Sequence, residues 1–471
     1  MEKVEKIAYF DFIAPKRDIW RKKNRYYYQE LEKLLKFIIP PNSSILEIGC
    51  GTGDFIKYLR PKRGVGIDFS PEMIRIAKEK YPEYEFLIDD AENLHITEKF
   101  DYVILSDLVG YLDDVWQACR ELQKVTKKET RIIITYWNYL WEPLLNLGSK
   151  LGLKMPQKGY QNWLTLEDIE NLLNLNGYEV ISKGYRLLFP KYIPIISFIF
   201  NRFLAKLPFL KNLCLIEYII AKEMTTKPDT KEYSCSIIIP TKNEVGNIEG
   251  IVKRTPMMGT LTELIFVDGN STDGTCEKIK EMMEAYPDKN IKLIHQGDGI
   301  GKADAVRKGF DATSCDILFI LDGDLTVCPE DLPKFYISMS EGRGEFINGT
   351  RLVYPLEKDS MRFLNKLANK AFGILFSWLL EQRLTDTLCG TKVLFKKDYQ
   401  KIVDSRSFFG NFDPFGDFDL LFGAAKLNLK IVEIPVRYKP RTYGDIKIKR
   451  FKHGLLLLKM SLIAFKKLKL D

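Results

Sequence analysis

Two groups of acids and glycines, one in each half of the chain, have spacings that suit ligand chemistry. The first reads Glu47-Ile48-Gly49-Cys50-Gly51-Thr52-Gly53-Asp54 and follows a β-branched run. Glycines there let the backbone turn tightly and approach a ligand without Cβ clashes. The next such run ends in Gly66-Ile67-Asp68-Phe69, which places a carboxylate where both hydroxyls of a ribose can donate to it. A third turn, Asp89-Asp90-Ala91-Glu92, offers an acid and backbone groups to a base. A dinucleotide fingerprint needs G-x-G-x-x-G, whereas here the third glycine comes one residue early and position 54 is Asp. NAD is therefore disfavoured. Asp107 and His95 lie near the strand ends that would face this ligand and are candidates to take a proton from an attacking hydroxyl.

The second group begins at Pro240-Thr241-Lys242-Asn243-Glu244 and continues at Val267-Asp268-Gly269-Asn270. Asp268, at a strand end, can accept from a base N–H or a ribose hydroxyl. The run ending at Leu321 then delivers Asp322-Gly323-Asp324. Two hard carboxylates in one turn suit a divalent cation, Mg²⁺ or Mn²⁺, bridging a diphosphate. The stretch around Gly299, Gly301 and Lys302 approaches a P-loop, but Gln296 replaces its first glycine and Ala303 its Ser/Thr. A P-loop NTPase is rejected.

Strands and helices must position these groups. In the first half, strands are predicted over 44–48, 64–67, 86–88, 100–105 and 131–136 with amphipathic stretches between them, which is the pattern of a parallel, doubly wound α/β sheet. Residues 178–188 and 214–221 read as a closing antiparallel pair. In the second half, strands are expected over 236–239, 263–267, 291–295 and 316–321. The polar stretch 222–233 contains Pro and lacks apolar periodicity, so the boundaries are placed at 1–221, a linker 222–233, and 234–471.

With 471 residues, 45% hydrophobic and 28% charged, the chain has the composition of globular domains and is too long for one small binding module. A net charge of +8 lacks the dense basic stripe of a nucleic-acid binder, so no nucleic-acid partner is expected. The eight Cys form no C-x-x-C pair and, with three His, no zinc spacing. Buried thiols in a reducing compartment follow. The first residues lack an apolar h-region, so no export signal is expected in them. The insert at 192–212 is apolar, but Arg202, Lys206, Pro194 and Pro208 interrupt it, too soon for a membrane span. The tail 437–471 is basic and amphipathic, which fits either an interfacial helix or packing on its own domain.

The E-x-G-x-G-x-G pattern with Asp68 and Asp90 downstream resembles the class I S-adenosylmethionine-dependent methyltransferases, over roughly residues 9–221. That resemblance implies a Rossmann-like sheet. Glu47, Gly49, Gly51 and Gly53 would lie at the methionine moiety, Asp68 and Phe69 at the ribose, and Asp90 with Ala91 at the adenine. The aromatics Tyr9, Phe10, Tyr26 and Tyr27 are candidates to close over the sulfonium. Ser106-Asp107-Leu108 departs from the Asn/Asp-Pro-Pro-Tyr turn of amide and amine methylases, which lowers those acceptors.

The second half, from about 236 to 459, resembles the family 2 glycosyltransferases of the GT-A fold. Within them it is most similar to the dolichol-phosphate mannosyltransferases and the polyprenyl-phosphate glucosyltransferases. The resemblance places Pro240, Thr241, Glu244 and Asp268 at the nucleoside, Lys302 beside the donor, and Asp322 and Asp324 at the metal and diphosphate. Arg351, after Asn348-Gly349-Thr350, and Arg441 would meet an acceptor phosphate. Asp386, Asp417 and Asp419 are the carboxylates to consider as general base, with Asp386 favoured. Gly269 stands where a second Asp is common, which leaves uridine and guanosine donors open, and Gln-x-x-Arg-Trp is absent, which argues against a processive synthase. The expectation is a fused enzyme at the cytoplasmic face of the membrane, with a methyl-transfer site and a site moving sugar from a nucleotide diphosphate to a polyprenyl phosphate or glycan. A glycosyltransferase carrying a scaffold half, or a non-catalytic membrane-surface assembly protein, are the alternatives.

Overall fold

The computed structural model describes all residues except 1–2, 157–160, 225–231, 300, 352–362, 409–417, 437, 442, 444–449 and 471. The chain forms two compact units that part between Thr226 and Lys227, each built on a seven-stranded mixed sheet.

The first unit contains β1 (Ser44–Ile48), β2 (Arg63–Asp68), β3 (Glu85–Ile88), β4 (Tyr102–Ser106), β5 (Arg131–Trp137), β6 (Tyr178–Arg186) and β7 (Ile216–Glu223). Their order is β3-β2-β1-β4-β5-β7-β6. The first five strands pair in parallel. Runs such as Ile132-Ile133-Ile134 are buried on both faces, as parallel strands covered by helices must be. The order reverses between β1 and β4, so a crevice opens at their carboxyl ends, where open α/β sheets bind ligands. The expected closing pair is present, with β7 antiparallel to both β5 and β6. β7 runs two residues into the stretch expected as linker, because buried Lys222 still pairs with Glu179 across the ladder. Ahead of the sheet, helix Arg25–Ile38 buries Tyr27, Leu31, Leu34, Leu35 and Ile38, an apolar stripe at helical spacing.

The second unit contains β8 (Cys235–Thr241), β9 (Thr262–Asp268), β10 (Asn290–His295), β11 (Ile317–Ile320), β12 (Phe346–Thr350), β13 (Lys392–Phe395) and β14 (Ile431–Pro435). The order is β10-β9-β8-β11-β13-β12-β14. β8 to β11 are mutually parallel and fall where the sequence placed strands. The last three strands were not anticipated. β13 enters antiparallel between β11 and β12, so the segment that precedes it, with Gly390, lies at the carboxyl end of β11 against Asp322.

Candidate active sites

In the first unit, β1 turns into the glycine loop with positive φ at Gly49, Gly51 and Gly53. A Cβ on Gly49 would lie 2.8 Å from the Leu108 side chain, and one on Gly51 would lie 2.6 Å from the Arg17 guanidinium. These approaches require glycine. Beside the loop is a cleft whose lining includes Gly49, Asp68, Phe69, Asp90, Ala91 and Glu92. Five residues expected at one ligand therefore share one cleft. Glu47, Gly51 and Gly53 are not among the residues that line it. Asp68 accepts from the backbone N–H of Gly51 (2.9 Å) and of Ser70 (3.0 Å), so its carboxylate braces the loop as well as facing the cleft.

Glu47 is 3% exposed, and burial pushes its carboxyl up to about 8. Its Oε2 has no hydrogen-bond partner among the described residues. The helix Lys3–Ile13 forms one wall: Lys3 pairs with Asp90 and Glu92, and Lys6 Nζ donates to the Tyr111 carbonyl at 3.0 Å. Phe10 meets Phe69 and Tyr111 edge to face. Arg17, Lys3 and Lys6 escaped the sequence reading, because isolated cations in a helical stretch carry no pattern.

Asp107 follows β4 with φ of +54°. Tyr27 Oη donates to its carboxylate, 2.8 Å from each oxygen, and itself receives the Trp137 indole N–H at 2.6 Å. Burial pushes Asp107 up to about 7 against the pull of Tyr27 and Lys154. Desolvation brings Lys154 down to about 8, and its Nζ sits 3.9 Å from the centre of the Trp137 ring. An acid and an amine both poised near neutrality beside stacked Tyr136 and Trp137 can exchange a proton with an acceptor. His95 is not part of this group: its Nδ1 lies 2.9 Å from Asp89 Oδ1 and its side chain is exposed. Tyr26 also points elsewhere, with its hydroxyl on Asn201.

In the second unit, Asp322 and Asp324 follow β11. A Cβ on the intervening Gly323 would lie 3.1 Å from the Pro240 carbonyl oxygen and 3.3 Å from Thr241 Cγ2, which brings the end of β8 against the two acids. Lys302 Nζ is 2.7 Å from Asp322 Oδ1. Burial works against ionisation of Asp322, but Lys302, Lys392 and Arg351 hold its carboxyl below the ordinary range. Arg441 bridges Asp324 Oδ2 (2.6 Å) and Glu244 Oε1 (3.3 Å). Tyr443 Oη lies 3.5 Å from Asp273 Oδ2, so Arg441 and Tyr443 both reach residues that follow the parallel strands. Asp268, at the end of β9, accepts from Ser271 N at 3.1 Å. Cys276 and His295 bring a thiol and an imidazole within 4.8 Å of it, a three-ligand grouping that linear spacing did not reveal.

Asp386 corrects an expectation. It is fully buried and accepts from Arg351 Nε (2.7 Å), Arg351 NH2 (2.9 Å), Arg351 N (3.0 Å), Asn369 Nδ2 (2.7 Å) and Leu388 N (3.0 Å). Against the cost of burial, these partners hold its carboxyl at about 2. A carboxylate so saturated is a poor base; it fixes Arg351, whose guanidinium also lies over Tyr438. Asp419 faces Arg307 (3.0 Å) and Arg406 (3.7 Å), and burial raises its carboxyl against their pull. Asp417 lies outside the described residues. Glu433 and Lys392 were missed: Glu433 accepts from Thr385 and Asp386 backbone N–H groups, and Lys392 donates to Asn348 Oδ1 at 3.0 Å. Both are single charges on short strands, without a local signature.

Known proteins divide along the same line. Residues 19–183 match the family described as a methyltransferase domain, and residues 236–403 match glycosyl transferase family 2. A dolichol-phosphate mannosyltransferase of Pyrococcus furiosus is 29% identical over 219 residues, covering 45% of this chain and 59% of that protein. One from Saccharomyces cerevisiae is 36% identical over 121 residues, covering 25% of this chain and 44% of that protein. The chain thus spans less than two thirds of the length of these relatives. A solved SAM-dependent methyltransferase from Thermotoga maritima is 18% identical with a TM-score of 0.36, covering 45% of this chain and 97% of that one. The chain joins a methyltransferase domain to a family 2 glycosyltransferase domain.

Proposed function

We propose that the chain is a two-site transferase that moves a methyl group from S-adenosylmethionine in its first unit and a sugar from a nucleoside diphosphate in its second. The sugar goes, with inversion, to a polyprenyl phosphate or glycan. The supporting observation is that in each sheet the acids marked by sequence gather at the carboxyl ends of the parallel strands, Asp68 and Asp90 in one and Asp268, Asp322 and Asp324 in the other.

The residues of the first unit fit the methyl donor. The orphaned, buried Glu47 Oε2 suits an ammonium, and the glycines of the loop let the Leu108 and Arg17 side chains close against it. Asp68 would hold the ribose, and Asp90 with Ala91 the base. Asp107, kept in place by Tyr27, would take the acceptor's proton at a pH near its own pKa. In the second unit, the hard oxygens of Asp322 and Asp324 suit a divalent cation, which when bound would neutralise the leaving diphosphate. Lys302 and Arg441 already sit on those oxygens and add positive charge to the same place.

Of the carboxylates considered as base, Asp386 and Asp419 face arginines, and a lipid phosphate, already anionic, is an acceptor that needs no base. Among the described residues no helix is long and apolar enough to cross a membrane. The helix Arg450–Ala464 buries Leu457 and Met460 but exposes Leu455, Leu458 and Leu462, so one face packs and the other is available to a bilayer at its cytoplasmic side. The test is release of nucleoside diphosphate from UDP- and GDP-sugars by the purified chain with Mg²⁺ or Mn²⁺, with and without polyprenyl phosphate. Lipid-stimulated release is the expected result. Release that is metal-independent and survives Asp324→Ala would overturn the assignment of the acid pair.

A further inference from the structure

The insert between β6 and β7 turns its apolar side chains outward. Phe209 is 91% exposed, Ile195 73% and Phe198 56%, although the helix Ile196–Arg202 that carries Phe198 buries only Ser197. Exposed aromatic and β-branched side chains in one contiguous stretch mark an interaction site more often than chance exposure. A second apolar strip adjoins it, because Leu144, Leu147 and Leu151 of the segment after β5 are also exposed. The two are tied together where Trp141 Nε1 donates to the Leu213 carbonyl (2.9 Å) and Asn138 Nδ2 to the Asn212 carbonyl (2.8 Å).

Charge selects the partner. From Val180 to Ile216 the sequence has no Asp or Glu, while Lys191, Arg202, Lys206 and Lys211 punctuate the apolar run. Aromatic and aliphatic side chains interspersed with cations and free of acids are the chemistry of an interfacial segment on anionic lipid. The face is rooted beside the residues proposed for methyl transfer: Asn138 directly follows Trp137, whose indole N–H donates to Tyr27 Oη.

We propose that the 192–213 insert, with exposed Leu144 and Leu147 of the helix Glu142–Lys150 and Leu151 after it, seats the methyltransferase unit on a bilayer surface bearing anionic headgroups. This goes beyond the two-site reading and does not depend on which acceptor either site uses. The seat would hold the group formed by Asp107, Tyr27 and Trp137 near the lipid surface.

The experiment is flotation of the full chain with vesicles of phosphatidylcholine alone and of phosphatidylcholine with phosphatidylglycerol. Wild type should float with the anionic vesicles, less so at high salt. The double variant Phe198→Glu/Phe209→Glu should partition at least about tenfold more weakly, since two apolar side chains no longer insert. Both positions are exposed, and retained S-adenosylmethionine binding by calorimetry reports that the variant's first unit is folded. A second variant, Lys206→Glu/Lys211→Glu, should lose the preference for anionic over neutral vesicles. Equal flotation of wild type and the Phe variant would assign membrane contact to another part of the chain and overturn the proposal. So would absence of flotation, or a dimer in sedimentation that the Phe variant dissolves, which would make the face a contact between copies.

Discussion

Replacing Glu47 by Gln asks whether its buried carboxyl is the partner of the methyl donor's ammonium. Burial raises that carboxyl from 4.5 to about 8, so at pH 7 about nine tenths of the free protein carries it neutral. An ammonium beside Oε2 favours the ionised form, and donor binding at pH 7 should release roughly 0.9 proton. A charge-assisted hydrogen bond contributes about 1.5–3 kcal/mol, but ionising the acid at pH 7 costs about 1.4 kcal/mol of it. Glu47→Gln should therefore weaken binding by no more than about 15-fold at pH 7, and by about 10- to 150-fold at pH 9. Stability moves the opposite way. A folded-state pKa above the unfolded value means that the contribution is intact below pH 4.5 and is lost as pH rises through about 8. Between pH 6 and pH 9 that loss amounts to about 3 kcal/mol, which a neutral Gln would not suffer. Calorimetry in buffers of different ionisation enthalpy measures the proton release, and urea unfolding at the two pH values measures the stability. Donor binding with no proton release at pH 7, joined to a stability difference that does not change with pH, would refute the reasoning.

Four further outcomes follow from the geometry. Tyr27→Phe removes the hydroxyl that lowers Asp107, so the acid limb of kcat/KM for methyl transfer should move above about 7; an unmoved limb would remove Asp107 as the base. Arg351→Ala leaves Asp386 buried without its bidentate partner and should cost about 3–5 kcal/mol in urea unfolding of the second unit, with Arg351→Lys recovering only part of it. A Cβ at Gly390 would lie 2.0 Å from Asp322 Oδ2, so Gly390→Ala should abolish Mn²⁺-dependent nucleotide binding while S-adenosylmethionine still binds; nucleotide titration of the variant decides. Asp324→Ala should likewise eliminate sugar transfer and leave the methyl-donor affinity of the first unit unchanged, as calorimetry on the same preparation would report.

What could be read along the chain was what is built locally. The glycine loop, Asp68, Asp90 and the Asp322-Gly323-Asp324 turn were legible because a strand, a tight turn and a carboxylate are contiguous, and the turn itself restricts which residues fit. The parallel strands were legible for the same reason, as unbroken β-branched runs. β12, with the sequence Phe-Ile-Asn-Gly-Thr, and β13 lack such runs, and only pairing with β11 and β14 makes them strands. Asp386 was visible as an acid at suggestive spacing, yet its chemistry depends on Arg351, 35 residues away, and on Asn369. The insert had the same composition whether its phenyl rings faced a core or the solvent. Identity and local spacing are properties of the chain. Protonation, pairing and exposure depend on desolvation and on distances of a few ångströms between segments remote in sequence, and those are decided only when the chain folds.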